Sequence, residues 1–274
     1  MSDEATGADD VGEPFGASSP WTGEARVLLE RAIERHGGWA AWRRMGGLAL
    51  TLRSLTGLVP RWKGVDDTFP MPKRADVWAR RGLVVMHDFP AAGRRGVFAT
   101  GQAQILEGEL LLEARADPRG SFSGFRKQRR WAPLDALYFF GYALAHYHSL
   151  PFSLTAARPL GVRRTRSSGR ALTGVTVELP PALHTHCRRQ TFFFDAEGLL
   201  RRHDYVADII GWWARAAHHW EDLVEVDGIP IARRRRVLAR LGRLELPSVA
   251  LDARFGDVAP LGGAAPQRPR LVLV

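Results

Sequence analysis

Histidine side chains are the residues of this sequence most able to do chemistry, and they fall into three groups. The first is His184-Thr-His186-Cys187, in which a strand would place the two histidines on one face. With an acidic partner, such a pair could bind zinc. No second cluster has the spacing of metal-binding residues, so we predict neither a metal nor a cofactor. We interpret this group as the polar end of a strand.

The other two groups lie around His203 and His218, on either side of a turn predicted at Ile210–Trp212. A hairpin would make them cross-strand neighbours. Strand alternation predicts two faces: His203, Tyr205, His219 and Glu221 on one, and His218, Trp220 and Asp222 on the other.

A histidine beside a carboxylate in an apolar cavity can act as a general acid or base. His203, His218 and Asp208 are therefore the candidate catalytic residues. The alternative, which we favour for these polar segments, is a solvated cross-strand network on the outer face of a sheet.

An arginine run, Arg233–Arg236, lies in a predicted strand and would place two arginines on each face. One pair is expected in solvent. The other pair would point inward unless the strand is an edge, and an inward arginine needs an anion. A ligand carboxylate bound by Arg235 would supply that anion.

The second half of the chain, from about Pro159 to Val258, consists of long alternating segments joined by tight turns. Two of the turns are Asp195–Gly198 and Val226–Pro230, and short Asp/Gly turns join antiparallel strands. A meander of this length must curl. We therefore predict a mainly β fold with helices, in which a long antiparallel meander forms an open or closed barrel around a hydrophobic cavity.

The first half mixes helices and strands. A helix is predicted from about Gly23 to Met45 with a break at Gly37-Gly38. Strands are predicted within 48–55, 94–100 and 104–114, and the segment 75–89 is either one strand or a hairpin around 80–82. A second helix begins at Pro133 and is stopped by Pro151. It is apolar on nearly every face, which predicts a helix that plugs the concave side of the sheet.

The predicted cavity lies between this helix and the inward residues of the later strands. Tyr138, Tyr142 and the run His146-Tyr147-His148 are either polar points in the pocket or core residues, and core packing is the better account of the first two. We predict a ligand-binding set with inward positions: Leu134, Leu137, Tyr138, Gly141, Tyr142, Phe192, Phe194, Tyr205 and Arg235.

Two hairpin segments carry a resemblance to a known group. They are the segment 190–202, QTFFFDAEGLLRR, and the segment 226–232, VDGIPIA. With the order of helices and strands, they resemble the lipoprotein-carrier (LolA/LolB-like) group. The resemblance implies a curved, incomplete barrel capped by helices, with a hydrophobic cavity for acyl chains.

Charge and composition limit the classes of partner. The formal net charge is +10, and 36 of the 39 basic residues are arginine because only three are lysine. A GC-rich genome accounts for that skew better than a nucleic-acid surface does, because the arginines are scattered. We predict weak, salt-sensitive DNA binding without sequence preference.

The ends and the cysteine content bear on organisation. Residues 1–22 are predicted to be a disordered tail and residues 23–274 a single domain. One cysteine excludes an intrachain disulfide, no signal peptide or membrane-spanning segment is evident, and a cytoplasmic protein is expected. The β-prone end Leu271–Val274 favours a homodimer through strand addition, with a frayed monomer as the alternative.

These observations favour binding of a long hydrophobic ligand, such as a fatty acyl, polyene or polyketide chain, in an internal apolar cavity. Shielding of a biosynthetic intermediate fits that activity. One alternative is a cofactor-free cyclase or isomerase that acts on such a chain. A second is nucleic-acid binding through the diffuse basic surface. The sequence has no phosphate-binding loop and no hydrolase or metalloprotease motif.

Overall fold

The computed structural model describes residues 15–16, 19–65, 69, 71, 73–99 and 101–262. The helices are α1 (Gly23–Arg35), α2 (Gly38–Arg44), α3 (Leu58–Lys63) and α4 (Pro133–Ser149), and short 3₁₀ helices cover Ala79–Arg81, Arg119–Ser121, Gly124–Gln128 and Phe152–Ala156. The strands are β1 (Leu48–Thr56), β2 (Lys73–Trp78), β3 (Leu83–His87), β4 (Arg94–Ala99), β5 (Gln102–Glu107), β6 (Leu110–Arg115), β7 (Arg158–Ser167), β8 (Arg170–Glu178), β9 (Arg189–Phe194), β10 (Leu200–Val206), β11 (Arg215–Val226), β12 (Ile229–Leu241) and β13 (Leu244–Pro260).

These strands form one antiparallel sheet. Its order is β6-β5-β4-β3-β2-β1-β13-β12-β11-β10-β9-β8-β7. Two meanders meet where β1 pairs with β13, and β6 and β7 are the two edges. The predicted mainly β fold with a long antiparallel meander is confirmed, and the sheet is open rather than closed into a barrel.

Helix α4 connects the two edges of the sheet and packs on its inner side, mainly against β3, β4 and β5. Fourteen of its 17 residues are buried, which confirms the predicted central helix. Pro133 suits its first turn because that position has no intrahelical acceptor for an N–H. The Asp135 carboxylate accepts a hydrogen bond from the Ala132 N–H at 3.0 Å. Within the described residues, no helix is long and apolar enough to cross a bilayer.

The break predicted in the first helix is confirmed at Gly37. Its φ of +91° lies in the left-handed region that favours glycine. A Cβ at Gly37 would also collide with the carbonyl of Gly228 in the turn between β11 and β12. A glycine at this position therefore lets the α1–α2 turn lie directly on that β-turn.

Two local predictions are wrong. Residues 104–114 form parts of two strands, β5 and β6, because Gly108 turns the chain with a φ of +57°. His184 and His186 lie in the loop between β8 and β9 rather than on a strand. Alternation alone could not reveal either turn, since both segments continue with residues that suit a strand.

The chain is already packed before α1. The Trp21 side chain is fully buried, and its Nε1–H donates to the Ala157 carbonyl at 2.9 Å. The predicted tail therefore includes at least one core residue at its end. Residues 1–14 of that tail and the C-terminal segment 271–274 lie outside the described residues.

Candidate functional site

The inner face of β9–β11 carries a layer of histidines and aromatic rings beneath α4. His203 of β10 pairs directly with His218 of β11, and directly opposed residues of antiparallel strands share a face. The predicted assignment is therefore wrong for His218 and Trp220, which lie on the same face as His203 and Tyr205. The 207–214 turn determines which residues of β10 and β11 share a face, and alternation within one strand cannot predict that.

The histidines of this layer are core residues. The exposed fraction is 0% for His203 and 1% for His218. The His203 ring stacks on Phe192 at a centroid distance of 4.4 Å, and the His218 ring meets Tyr147 edge-on at 4.8 Å. The interpretation of His203 and His218 as members of a solvated outer network is therefore wrong.

An outer-face network does exist, but it contains the other residues of the same strands. Arg202 is 2.7 Å from Asp204, and His219 Nε2 is 2.7 Å from Glu245. Burial alone would raise the pKa of Glu245, but hydrogen bonds from His219 and Ser167, together with nearby positive charge, hold it at about 2. These carboxylates lie on the opposite face of the sheet from His203 and His218.

Asp208 does not join either candidate histidine. Its carboxylate lies 3.6 Å from Arg119 Nη2, and its backbone carbonyl accepts a hydrogen bond from Lys127 Nζ at 2.6 Å. Burial raises its pKa, while the Arg119 and Lys127 charges oppose that shift. The structure thus brings His203 and His218 together and places the predicted carboxylate elsewhere.

A small cavity of about 60 Å³ lies between α4 and strands β1, β2, β12 and β13. Three of the predicted site residues line it: Tyr205, His218 and Arg235. Two buried cations, Arg235 and Lys73, face this space, and none of its described lining residues is acidic. We call it the Arg235 cavity.

Arg235 is a buried cation that has no carboxylate partner among the described residues. Its exposed fraction is 3%, and its Nε and Nη1 atoms have no hydrogen-bond partner. Its guanidinium lies 4.1 Å from the Trp220 ring centroid and 5.0 Å from that of Tyr147. Burial lowers its pKa to about 10.

The neighbours of Arg235 in the arginine run are paired differently. Each of the other three arginines has a carboxylate partner: Arg233 with Asp222 at 3.0 Å, Arg234 with Asp252 at 2.6 Å and Arg236 with Glu221 at 2.7 Å. Only Arg235 of the run is directed into the fold. The structure thus confirms an inward arginine, although one rather than two.

The single polar contact of Arg235 fixes the state of His148. The Arg235 Nη2–H donates to His148 Nε2 at 3.2 Å, and His148 Nδ1–H donates to the Leu144 carbonyl at 2.8 Å. His148 must therefore be neutral to accept from the arginine. Burial, with the Arg235 charge, lowers its pKa to about 3.

Several ring nitrogens of the histidine layer have no hydrogen-bond partner among the described residues. They are both nitrogens of His146 and of His218, and Nδ1 of His203. Burial lowers the pKa of His146 to about 4; Gln190 lies near enough to oppose this, but without hydrogen-bond geometry. Burial also lowers the pKa values of His203 and His218 well below the usual range. Unpaired buried polar atoms mark places where a ligand or water binds.

Two further histidines under α4 do have polar partners. His186 contacts the hydroxyls of Tyr142, at 2.9 Å from Nδ1, and of Tyr147. Tyr138 OH lies 3.0 Å from His184 Nδ1. The His184-x-His186 pair is therefore held by tyrosines, and no group of three or more His, Cys, Asp or Glu among the described residues could hold a metal ion.

A second cavity, of about 370 Å³, lies near the N-terminal end of β3 and beside the loop between β8 and β9. His146, Ser149 and Ala145 of α4 contribute to its wall, together with Phe98 and Phe152. We call it the His146 cavity. The two spaces involve different residues of α4.

Most of the predicted ligand-binding side chains pack solidly instead. At Gly141 a Cβ would collide with Phe98, so this glycine permits close ring–helix packing. The predicted residues that line neither cavity are Leu134, Leu137, Tyr138, Gly141, Tyr142, Phe192 and Phe194. The prediction of a cavity lined by them is wrong, because a helix buried all round gives no sign of which side is left unfilled.

Residues absent from the predicted set complete the Arg235 cavity. Phe140, Leu144 and Tyr147 line it from α4, and Lys73 lines it from β2. Lys73 is 2% exposed, and its Nζ donates to the Asp88 carbonyl. A usable signal was present, because Lys73 is one of only three lysines in an arginine-rich chain.

Comparisons with known proteins show similarity to solved structures but not to any known sequence family. No protein-family model matches the sequence, and no curated protein is significantly similar to it. A DUF1329 family protein from Desulfovibrio piger matches with a TM-score of 0.51 and 12% identity, over 89% of this chain and 96% of that chain. The predicted resemblance is confirmed at the level of the fold.

Two further solved structures match with lower TM-scores. One is a LolA superfamily protein from Nitrosomonas europaea, at 0.46 with 10% identity. The other is a putative outer membrane lipoprotein-sorting protein domain from Vibrio parahaemolyticus, at 0.42 with 12% identity. Both alignments cover 86% of this chain and 93% of the other chain.

Proposed function

We propose that this protein binds a long hydrophobic molecule that ends in a carboxylate, such as a fatty acyl, polyene or polyketide acid. The carboxylate binds Arg235, and the chain lies between α4 and strands β1, β12 and β13. The observation that carries the proposal is the buried Arg235 guanidinium, which has free donors and no anionic partner among the described residues.

The electrostatics of the Arg235 cavity select the sign of the ligand. A buried charge is strongly unfavourable unless it is paired. Arg235 and Lys73 both face the space, and its described lining offers no acid. A carboxylate would accept hydrogen bonds from Arg235 Nε and Nη1, whereas a cationic head group would be repelled.

The size of the cavity requires its walls to move. Its volume of about 60 Å³ is smaller than the roughly 150 Å³ of a cavity that takes up benzene. Helix α4 packs closely on β3–β5, whereas side chains such as Phe140, Leu144 and Phe255 fill the space toward β1 and β13. A bound chain would displace these side chains and leave the backbone in place.

The first experiment asks what the purified protein contains. Native mass spectrometry and organic extraction should recover an acidic lipid-like molecule. Binding is then measured with palmitic acid and with its methyl ester, which has the same chain without the charge. Arg235→Gln should weaken acid binding by about 10- to 150-fold, since hydrogen bonds to a charged group contribute roughly 1.5–3 kcal/mol. Ester binding should change little.

Arg234→Gln is the matched control, because Arg234 immediately precedes Arg235 in the same strand and pairs with Asp252 on the outer face. It should leave acid binding unchanged. Equal binding of acid and ester by the wild-type protein would refute the role of Arg235. Absence of binding to either molecule, with no co-purified lipid, would refute the proposed function.

A second candidate is a cofactor-free isomerase or cyclase, favoured by His218. Both of its ring nitrogens are unpaired, and it lines the same cavity as Arg235. A neutral imidazole there could take a proton from a bound chain. His218→Gln should then keep ligand affinity but abolish conversion of the co-purified ligand, followed by mass spectrometry. If the wild-type protein releases the ligand chemically unchanged, the enzyme hypothesis is rejected and only the binding function remains.

A further inference from the structure

We propose that one surface of this protein docks on an anionic phospholipid bilayer. The surface, which we call the aromatic–basic rim, consists of helix α3, the segment 124–130 and the turn 207–214. It shares no residue with the described lining of the Arg235 cavity, and the inference does not depend on which ligand that cavity binds.

Hydrogen bonds and ring contacts join the three segments. The rings of Trp62 and Trp213 lie with centroids 6.0 Å apart. Lys127 Nζ donates to the Asp208 carbonyl at 2.6 Å, and Lys63 Nζ donates to the Arg129 carbonyl at 3.3 Å. The rim is therefore one continuous surface built from distant parts of the chain.

Large apolar side chains of the rim face solvent. Exposed fractions are 92% for Phe125, 81% for Trp212, 58% for Leu58 and 50% for Trp213. Leu58 and Trp62 are four residues apart in α3 and so share a face. Isolated exposed apolar residues are ordinary, but a continuous group of this kind marks an interaction surface.

Basic side chains surround these aromatic residues. Arg61, Arg126 and Arg129 are exposed, and none of them forms a side-chain ion pair with a described residue. Arg115, Arg126, Arg129 and Arg130 also border a surface cavity of about 280 Å³, whose acidic residue, Asp135, lies 2.5 Å from Arg115. The rim is thus complementary to an anionic surface, and the cavity has the charge to bind a lipid phosphate.

The shape and composition of the rim favour a bilayer over a nucleic acid. Tryptophan is the side chain enriched at the membrane–water interface, and basic residues near an anionic leaflet add to binding. Phe125 and Trp212 project from separate turns, whereas proteins that bind single strands stack bases along a charged groove.

The rim lies one layer of side chains from the Arg235 cavity. The backbone N–H of Trp131 donates to the Lys63 carbonyl at 2.8 Å, and the centroid of the Trp131 ring lies 4.8 Å from that of Phe139. Phe139 lines the cavity. When the protein is docked on a bilayer, this side of the Arg235 cavity would therefore lie next to the lipid.

The test is co-sedimentation of the full chain with vesicles of phosphatidylcholine alone or mixed with phosphatidylglycerol. We expect binding to the mixed vesicles that falls as salt rises. Arg126→Glu with Arg129→Glu should weaken it at least roughly 30-fold, because each basic residue near the surface contributes about fivefold. Phe125→Ala with Trp212→Ala should also weaken it and should reduce the quenching of tryptophan fluorescence by brominated lipid.

Two control variants have matched chemistry at residues outside the three segments of the rim. Arg170→Glu with Arg243→Glu reverses two exposed charges, and Leu241→Ala with Leu244→Ala removes two exposed apolar side chains at the β12–β13 turn. Both should bind vesicles as the wild type does. Equal losses in rim and control variants, or no vesicle binding at all, would overturn the proposal. So would tight binding of a single-stranded oligonucleotide at roughly 0.15 M salt without vesicle binding.

Discussion

Mild acid is expected to unfold this protein through its buried histidines. Burial is the main cause that lowers the pKa of His36 and His146 to about 4 and that of His148 to about 3. Burial likewise holds the pKa values of His186, His203 and His218 well below the usual range. These six histidines stay neutral in the folded protein at a pH where the unfolded chain protonates them.

The direction of the effect follows from proton uptake. Between pH 6.5, the ordinary histidine pKa, and the lowered values, the unfolded state binds more protons, so the free energy of unfolding falls as pH falls. At about pH 5 each such histidine lowers it by about 2 kcal/mol. The three histidines with pKa values of about 3 to 4 together remove about 6 kcal/mol, and the other three act in the same direction.

That loss is comparable with the whole stability of a domain, which is about 5–15 kcal/mol. Above pH 6.5 the six histidines are neutral in both states and have no such effect. We therefore expect a steep acid transition at about pH 5 to 6, with uptake of about six protons. Urea unfolding followed by circular dichroism at several pH values gives the slope directly.

His146→Phe is the informative variant, since neither ring nitrogen of His146 forms a hydrogen bond. It should lower the proton uptake by about one and shift the acid transition to lower pH. A free energy of unfolding that is flat from pH 7 to about pH 5 would refute the reasoning, because the histidines would then be protonated within the fold.

Three other predictions follow from packing and charge. Arg235→Met should leave the free energy of unfolding within about 1–2 kcal/mol of the wild type, because relief of a buried charge offsets the lost ring contacts. Removing one partner of a buried ion pair instead costs about 3–5 kcal/mol. A loss of that size in urea melts would therefore show that Arg235 stabilises the fold rather than serving a ligand. Gly141→Ala should lower the free energy of unfolding by about 1–3 kcal/mol, because its Cβ would strike Phe98, and an unchanged melting temperature would contradict this. We also expect a homodimer, and light scattering that gives a monomer mass at micromolar concentration would contradict it.

The elements of the fold could largely be predicted from the sequence because their boundaries depend on local signals. Pro133 and Pro151 bound α4, and Gly37 breaks the first helix. Turns rich in Asp and Gly separate β9 from β10 and β11 from β12. Where a turn lacked such a distinct signal, as at Gly108, two strands were predicted as one.

The site depends on relations between elements, and these were harder to predict. His203 and His218 were assigned to opposite faces because their relative phase depends on the 207–214 turn. The unfilled side of α4 depends on how Phe98, Gly141 and Leu137 pack with the strands. Arg235 was predicted correctly as an inward arginine, because alternation places every second residue of a strand on the same face.

The arrangement of charge across the sheet gives the clearest argument about the ligand. On the outer face, arginines and carboxylates alternate along the strands and pair with one another, as Arg202 does with Asp204 and Arg234 with Asp252. On the inner face the described residues that line the Arg235 cavity include two cations and a neutral histidine but no acid. Folding alone would favour an apolar residue in place of Arg235. An anion that arrives with the ligand is the partner that makes an arginine at this position favourable.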